Sequence, residues 1–146
     1  MIDDRVFVDT NVLVYSYDTD AGQKHDTARS VLMDLWGSRT GAVSTQVLQE
    51  FYVTVTRKLP KPLAKRVARE VIGTYRAWPV HRPEVEDVIA ASELKDRHQM
   101  SFWDALVVVS AQRSGARTLL SEDLQDGRRI GELVIINPFA PSQAEG

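Results

Sequence analysis

Four acidic residues, far apart in the chain, each sit where an apolar segment ends or a helix begins. They are Asp9 after Val6-Phe7-Val8, Glu50 in Gln46-Val47-Leu48-Gln49-Glu50-Phe51, Asp104 in Ser101-Phe102-Trp103-Asp104-Ala105, and Asp123 in Leu119-Leu120-Ser121-Glu122-Asp123. Carboxylates in such places are expensive to desolvate unless something offsets their charge, and a hard divalent cation held by oxygen does so. The set therefore points to an Mg²⁺ or Mn²⁺ site. Taken singly, each has an ordinary reading: Asp9 as a helix cap, Asp104 as a partner of a helix dipole, Glu50 as an exposed helix glutamate.

The elements that must position these residues follow from spacing. Arg5 to Val8 reads as a short buried strand ending at Asp9, and Asn11 to Tyr17 as a brief helix before a loop from Asp18 to Gly22. Ala28, Val31, Leu32 and Leu35 share one stripe of a helix over His25 to Trp36, with Gly37 as its stop. Ala42-Val43 reads as a second strand, after which Ser44 or Thr45 caps a helix carrying Val47, Leu48, Phe51 and Val55 on one face. Pro60 and Pro62 separate it from a helix over Leu63 to Trp78, with Leu63, Val67 and Val71 in register.

Pro79 to His81 is a weak strand, and Pro83 opens a helix to about His98 with Val85, Val88 and Ile89 predicted inward. Ser101 caps a helix from Phe102 to Ser114 that Gly115 stops. Thr118 to Leu120 and Leu133 to Ile136 read as strands, and the tail after Pro138 as loose. Strands alternating with helices predict an α/β fold, a mainly parallel sheet covered by helices on both faces. Such sheets bind ligands beyond the carboxyl ends of their strands, where strand order reverses. Asp9 and Asp123 both follow a predicted strand, Asp104 lies in a first helical turn, and Glu50 lies about one and a half turns into a helix, so all four are able to meet at one sheet edge.

The chain has 146 residues, 43% of them hydrophobic, which suits one domain with a sizeable core. It has no cysteine, which excludes disulfides, thiolate zinc sites and a cysteine nucleophile. The opening residues do not form a signal peptide, and the longest apolar stretch, Ala105 to Val109, falls far short of the roughly 20 residues that span a bilayer. We therefore expect a soluble, cytoplasmic protein with no membrane partner. A net charge of −2 does not by itself suggest a nucleic-acid partner, yet Arg57, Lys58, Lys61, Lys65, Arg66 and Arg69 form a stripe with no acid among them. That stripe could meet an RNA backbone, a protein partner, or solvent alone; contact with RNA or with a protein partner is the expectation. His25, His81 and His98 lack metal-ligand spacing, and Trp36, Trp78 and Trp103 are expected to fill the core rather than stack bases.

Phe7-Val8-Asp9-Thr10-Asn11-Val12-Leu13-Val14-Tyr15 resembles the opening motif of PIN-domain ribonucleases. Val43 to Phe51, Phe102-Trp103-Asp104-Ala105-Leu106 and Leu120 to Gly127 resemble their second, third and fourth motifs, in the same order. The compact single-domain form is similar to the VapC-type toxins of bacterial toxin–antitoxin pairs. The resemblance implies a three-layer PIN-like fold over residues 1–137, followed by a tail at 138–146. It implies a metal-dependent endoribonuclease in which Asp9 and Asp104 hold Mg²⁺ (or Mn²⁺) directly, while Glu50 and Asp123 complete the catalytic acidic pocket. Asn11 and Ser44 would orient ligands or substrate, with Asp126 as a helper to Asp123. The cleavage products would carry a 5′-phosphate and a 3′-hydroxyl, and the partners would be an RNA substrate, a small antitoxin and a second copy of the chain.

Two other functions bear on the same residues. Asp9 after a strand bears a faint resemblance to haloacid-dehalogenase-like phosphatases, but their second aspartate is replaced here by Asn11. A PIN-like scaffold that holds RNA or protein without cutting is the other, and the intact carboxylate set argues against it.

Overall fold

Phe7 and Val8 point to opposite faces of β1 (Val6–Val8), and both are completely buried, so this strand is covered on both sides. The computed structural model describes residues 4–141. The other strands are β2 (Gly41–Ser44), β3 (Val80–His81), β4 (Thr118–Leu120), β5 (Arg129–Ile130) and β6 (Leu133–Ile136), in the order β3-β2-β1-β4-β6-β5. All pairings are parallel except β5 with β6. The chain builds outward from β1 to β2 and β3, then crosses back to lay β4 on the other side of β1. Strand order therefore reverses between β1 and β4, the crevice where open α/β sheets bind ligands. Val8 pairs with Leu120, and the Asp9 N–H donates to the Leu120 carbonyl at 2.9 Å, which sets Asp9 and Ser121 side by side at the strand ends.

The helices are α1 (Thr10–Tyr15), α2 (Gln23–Ser38), α3 (Thr45–Arg57), α4 (Lys65–Thr74), α5 (Val85–His98) and α6 (Phe102–Arg113). α1 packs against both α2 and α3, α3 against α4, and α5 against α6. α6 is buried at every position from Ala105 to Ala111, which is why its sequence is apolar all round rather than striped. Trp36, Tyr75 and Trp78 form an aromatic cluster with ring centroids 4.8–5.2 Å apart. It presses on β2 at Gly41, where a Cβ would stand 2.4 Å from the Trp78 ring. Glycine is the residue that this approach permits.

Several expectations are corrected. α2 runs through Gly37 to Ser38, because Arg39 adopts the left-handed cap conformation (φ 61°) and its N–H closes on the Leu35 carbonyl. α4 is shorter than the predicted Leu63 to Trp78 and passes into a 3-10 turn over Tyr75–Ala77. β5 lay hidden in a polar segment; it is a two-residue arm that turns at Gly131 (φ 60°) to pair with β6.

Val85, Val88 and Ile89 do not face inward: they are 72%, 46% and 49% exposed. The buried stripe of α5 is Asp87, Ala91 and Leu94. Asp87 sets this rotation, since its carboxylate accepts from Glu84 N–H (2.9 Å) and Arg113 Nε (2.9 Å) and pairs with His81 Nε2 (2.9 Å). Trp78 and Trp36 join the core as expected, but Trp103 is 61% exposed. Phe139 packs edge-on against Tyr15 at 5.0 Å, and the remainder of the expected loose tail, residues 142–146, lies outside the described residues.

Candidate metal centre

Asp9 ends β1 and caps α1 in the same step. One carboxylate oxygen accepts from the Thr10 N–H at 2.7 Å, and the other accepts from the Ser121 hydroxyl at 2.8 Å. Ser121 is completely buried just beyond β4, and its oxygen also accepts from the Asp123 N–H at 3.1 Å. A single hydroxyl thus fixes Asp9 and the backbone that carries Asp123. Asn11 binds the same loop from α1, donating from Nδ2 to Asp123 Oδ2 (3.2 Å) and accepting from the Glu122 N–H (3.1 Å).

Glu50 enters from α3. Thr10 Oγ1 donates to Glu50 Oε1 at 2.9 Å, and Gln46 Nε2, one turn earlier on α3, donates to Oε2 at 3.3 Å. Asp104 enters from the first turn of α6, where Ser101 Oγ accepts from its N–H at 3.1 Å. Four elements, joined at the β1–β4 seam, therefore hold the four predicted acids.

The charges of Glu50 and Asp123 act on both Asp9 and Asp104. Burial pushes the Asp9 carboxyl up to about 7, aided by the negative charges of Asp123 and Glu50, against the opposing Ser121 and Thr10 hydrogen bonds. Asp104 is raised by its own partial burial and by the same two charges. Among the described residues, none of the four acids forms an ion pair. The cluster is short of positive charge.

Among the described residues, no group of three or more His, Asp or Glu side chains is arranged to hold a metal ion by itself. Mg²⁺ retains several waters and takes one or two carboxylates directly. Uncompensated oxygen donors on a rigid frame suit such a hydrated ion. Gln46 adds to this: it is 7% exposed, and its Oε1 has no hydrogen-bond partner.

The remaining predicted residues lie around this centre or away from it. Ser44 is buried at the end of β2, and its hydroxyl caps α3 by accepting from the Val47 N–H at 3.2 Å. Asp126 accepts from the Asn137 N–H at 2.8 Å. Arg57, Lys58, Lys61, Lys65, Arg66 and Arg69 are all exposed; Lys61 pairs with Asp20 (3.7 Å) and Arg66 with Glu70 (2.7 Å). Lys58 lines a groove of about 260 Å³ with Gln49, Glu50, Val53 and Thr54, so one end of the stripe shares a groove with Glu50.

Sequence reasoning missed Thr10, Gln46 and Ser121 as positioning groups. Their signal was adjacency: each neighbours a carboxylate in sequence or lies one helical turn from it. It also missed the clasp beside the site, where Glu122 accepts from Tyr15 (2.7 Å) and pairs with Lys24, whose ammonium lies 5.1 Å from the Tyr15 ring centre.

Residues 6–132 match the family model of the PIN domain, and the chain belongs to that family. Among solved structures, it is similar to a toxin–antitoxin complex from Klebsiella pneumoniae, with 15% identity over 92% of this chain and 98% of that one (TM-score 0.65). It is similar to Mycobacterium tuberculosis VapC20, a Sarcin-Ricin loop cleaving toxin, with 21% identity over 78% of this chain and 86% of that one (TM-score 0.58). It also resembles VapBC2 from Rickettsia felis, bound to a DNA fragment from their promoter, with 18% identity over 89% and 96% (TM-score 0.61). A search of curated protein sequences finds no match.

Proposed function

We propose that the chain is an endoribonuclease toxin that cuts RNA with a hydrated divalent cation. The observation that carries this reading is that the charges of Glu50 and Asp123 act on both Asp9 and Asp104, and that none of these four acids has an ion-pair partner among the described residues. Asp9 and Asp104 would hold the ion directly, and Glu50 and Asp123 would take its waters. When bound, Mg²⁺ or Mn²⁺ supplies an acidified water and neutralises charge on the phosphoryl oxygens.

The chain's own residues prepare that chemistry. Ser121 and Thr10 hold the two oxygens of Asp9, and Thr10 and Gln46 hold those of Glu50, so the donors need little rearrangement. Asn11 fixes Asp123. Ser44 keeps α3 in register with β2, and so keeps Glu50 at the site. Asp126 helps by fastening the loop after Asp123 to Asn137. Lys58 would take a neighbouring phosphate.

The similar solved structures are those of toxins or toxin–antitoxin complexes, which supports a small antitoxin as partner. A homodimer and a cytoplasmic location complete the reading. Among the described residues, no helix is long and apolar enough to cross a membrane.

Purified wild-type protein, Asp9→Asn and Asp104→Asn should be incubated with total RNA in Mg²⁺ or Mn²⁺, with and without chelator. Discrete fragments from wild type alone, abolished by chelation, are expected. Equal cutting by Asp104→Asn would overturn the reading.

A further inference from the structure

We infer that Trp103 is a stacking platform for a base of single-stranded RNA at the acidic centre. This deepens the nuclease reading and rests on it for the identity of the strand. Trp103 immediately precedes Asp104, at the point where α6 leaves the core, and its indole is 61% exposed although every residue from Ala105 to Ala111 is buried. The other two tryptophans belong to the aromatic cluster beneath β2. Phe102 meets the Trp103 ring edge-on at 5.2 Å and holds it from one side.

Gln46 ties the backbone of Trp103 to Glu50. Its Nε2 donates to Glu50 Oε2 (3.3 Å) and reaches the Trp103 carbonyl (3.5 Å). Two acceptors fix the amide's orientation, because the flipped amide would set oxygen against the Glu50 carboxylate. Its Oε1 is then a buried acceptor without a partner among the described residues. A nucleobase offers a neutral π-face for the exposed indole beside the acids.

The rest of α3 supplies the other half of a single-strand site. From Glu50 the groove runs past Val53 and Thr54 to Lys58, eight residues or about 12 Å along the helix. Trp103 is tied to Gln46 one turn before this groove and Lys58 closes it, and aromatic rings combined with cations bind a single strand without strict sequence preference.

The test uses a fluorescein-labelled 12-nucleotide RNA of random sequence, titrated with the full chain in chelator so that nothing is cut. Wild-type binding should quench indole fluorescence. Trp103→Ala should weaken binding on the order of ten- to a hundredfold, and Trp103→Phe should retain most of it. Melting temperature and Mn²⁺ affinity should match wild type in both variants.

Wild-type affinity in Trp103→Ala would overturn the platform, as would binding without quenching. Reduced Mn²⁺ affinity in Trp103→Ala would also overturn it, placing the effect in Asp104. So would a changed sedimentation mass with unchanged RNA affinity, which would place the indole in a protein interface. Tryptophan-dependent binding by a wild-type protein that cuts no RNA would keep the platform and sink the nuclease reading. Cutting by wild type, with Trp103→Ala binding as tightly, would do the reverse.

Discussion

The Ser121 hydroxyl donates to the Asp9 carboxylate at 2.8 Å across 112 residues of sequence, and both groups are buried. This bond opposes the burial that raises Asp9. Removing it should raise Asp9 further. Ser121→Ala is therefore expected to lose about tenfold or more in kcat/KM at neutral pH, with the acid limb of the pH–rate profile moved to higher pH. An unshifted profile would show that the hydroxyl does not govern Asp9.

Asp9 also ties stability to pH. Its folded value of about 7 lies above the unfolded 3.8, so the folded state holds the proton more tightly. That contribution is fully present below pH 3.8 and is lost as pH rises through 7, by at most about 4 kcal/mol. Asp104 acts in the same direction, whereas Asp87 and Glu122, both lowered, act oppositely at acid pH. Comparison with Asp9→Asn isolates the first term. In chelator, the melting temperature of that variant relative to wild type should climb between pH 4 and 7.

Divalent cation should reverse this penalty. Near pH 7, millimolar Mg²⁺ is expected to raise the melting temperature of wild type by several degrees, and that of Asp9→Asn far less. Equal shifts in the two proteins would place the ion elsewhere.

Asp87 is charged and buried but lies outside the acidic centre, held by Glu84, His81 and Arg113. Asp87→Ala should cost about 2–4 kcal/mol in denaturant unfolding, since it removes three bonds to one carboxylate, one of them the α5 capping contact. Cleavage per folded molecule should stay unchanged at low temperature.

Gly41→Ala tests the aromatic cluster. A methyl 2.4 Å from the Trp78 ring forces β2 or the ring to move, for a loss of about 1–3 kcal/mol. Trp78→Phe in the same chain should recover part of it.

The elements that carry the four acids were legible in the sequence: an apolar triplet before Asp9, the Ser44 and Ser101 caps of the helices holding Glu50 and Asp104, and the short strand Thr118–Leu120 before Asp123. The parallel sheet followed from their alternation. α5 misled because its valines and isoleucine imitate a core stripe, while the true stripe is built on an aspartate whose partners, Arg113 and His81, lie on other elements. Trp103 misled for a related reason, since composition cannot tell a buried indole from one left at the surface. β5 was illegible because a two-residue arm owes its pairing to β6 and the turn at Gly131, not to its own residues.

The β1–β4 seam also has a consequence for synthesis. Asp9 is translated early, but the strand that aligns it, and the Ser121 hydroxyl that holds it, come more than a hundred codons later. Until β4 has left the ribosome and slid in beside β1, the nascent chain carries its acids on unjoined pieces. A chain that stops before residue 118 lacks the strand that aligns Asp9 and the hydroxyl that holds it, so it cannot assemble the acidic centre.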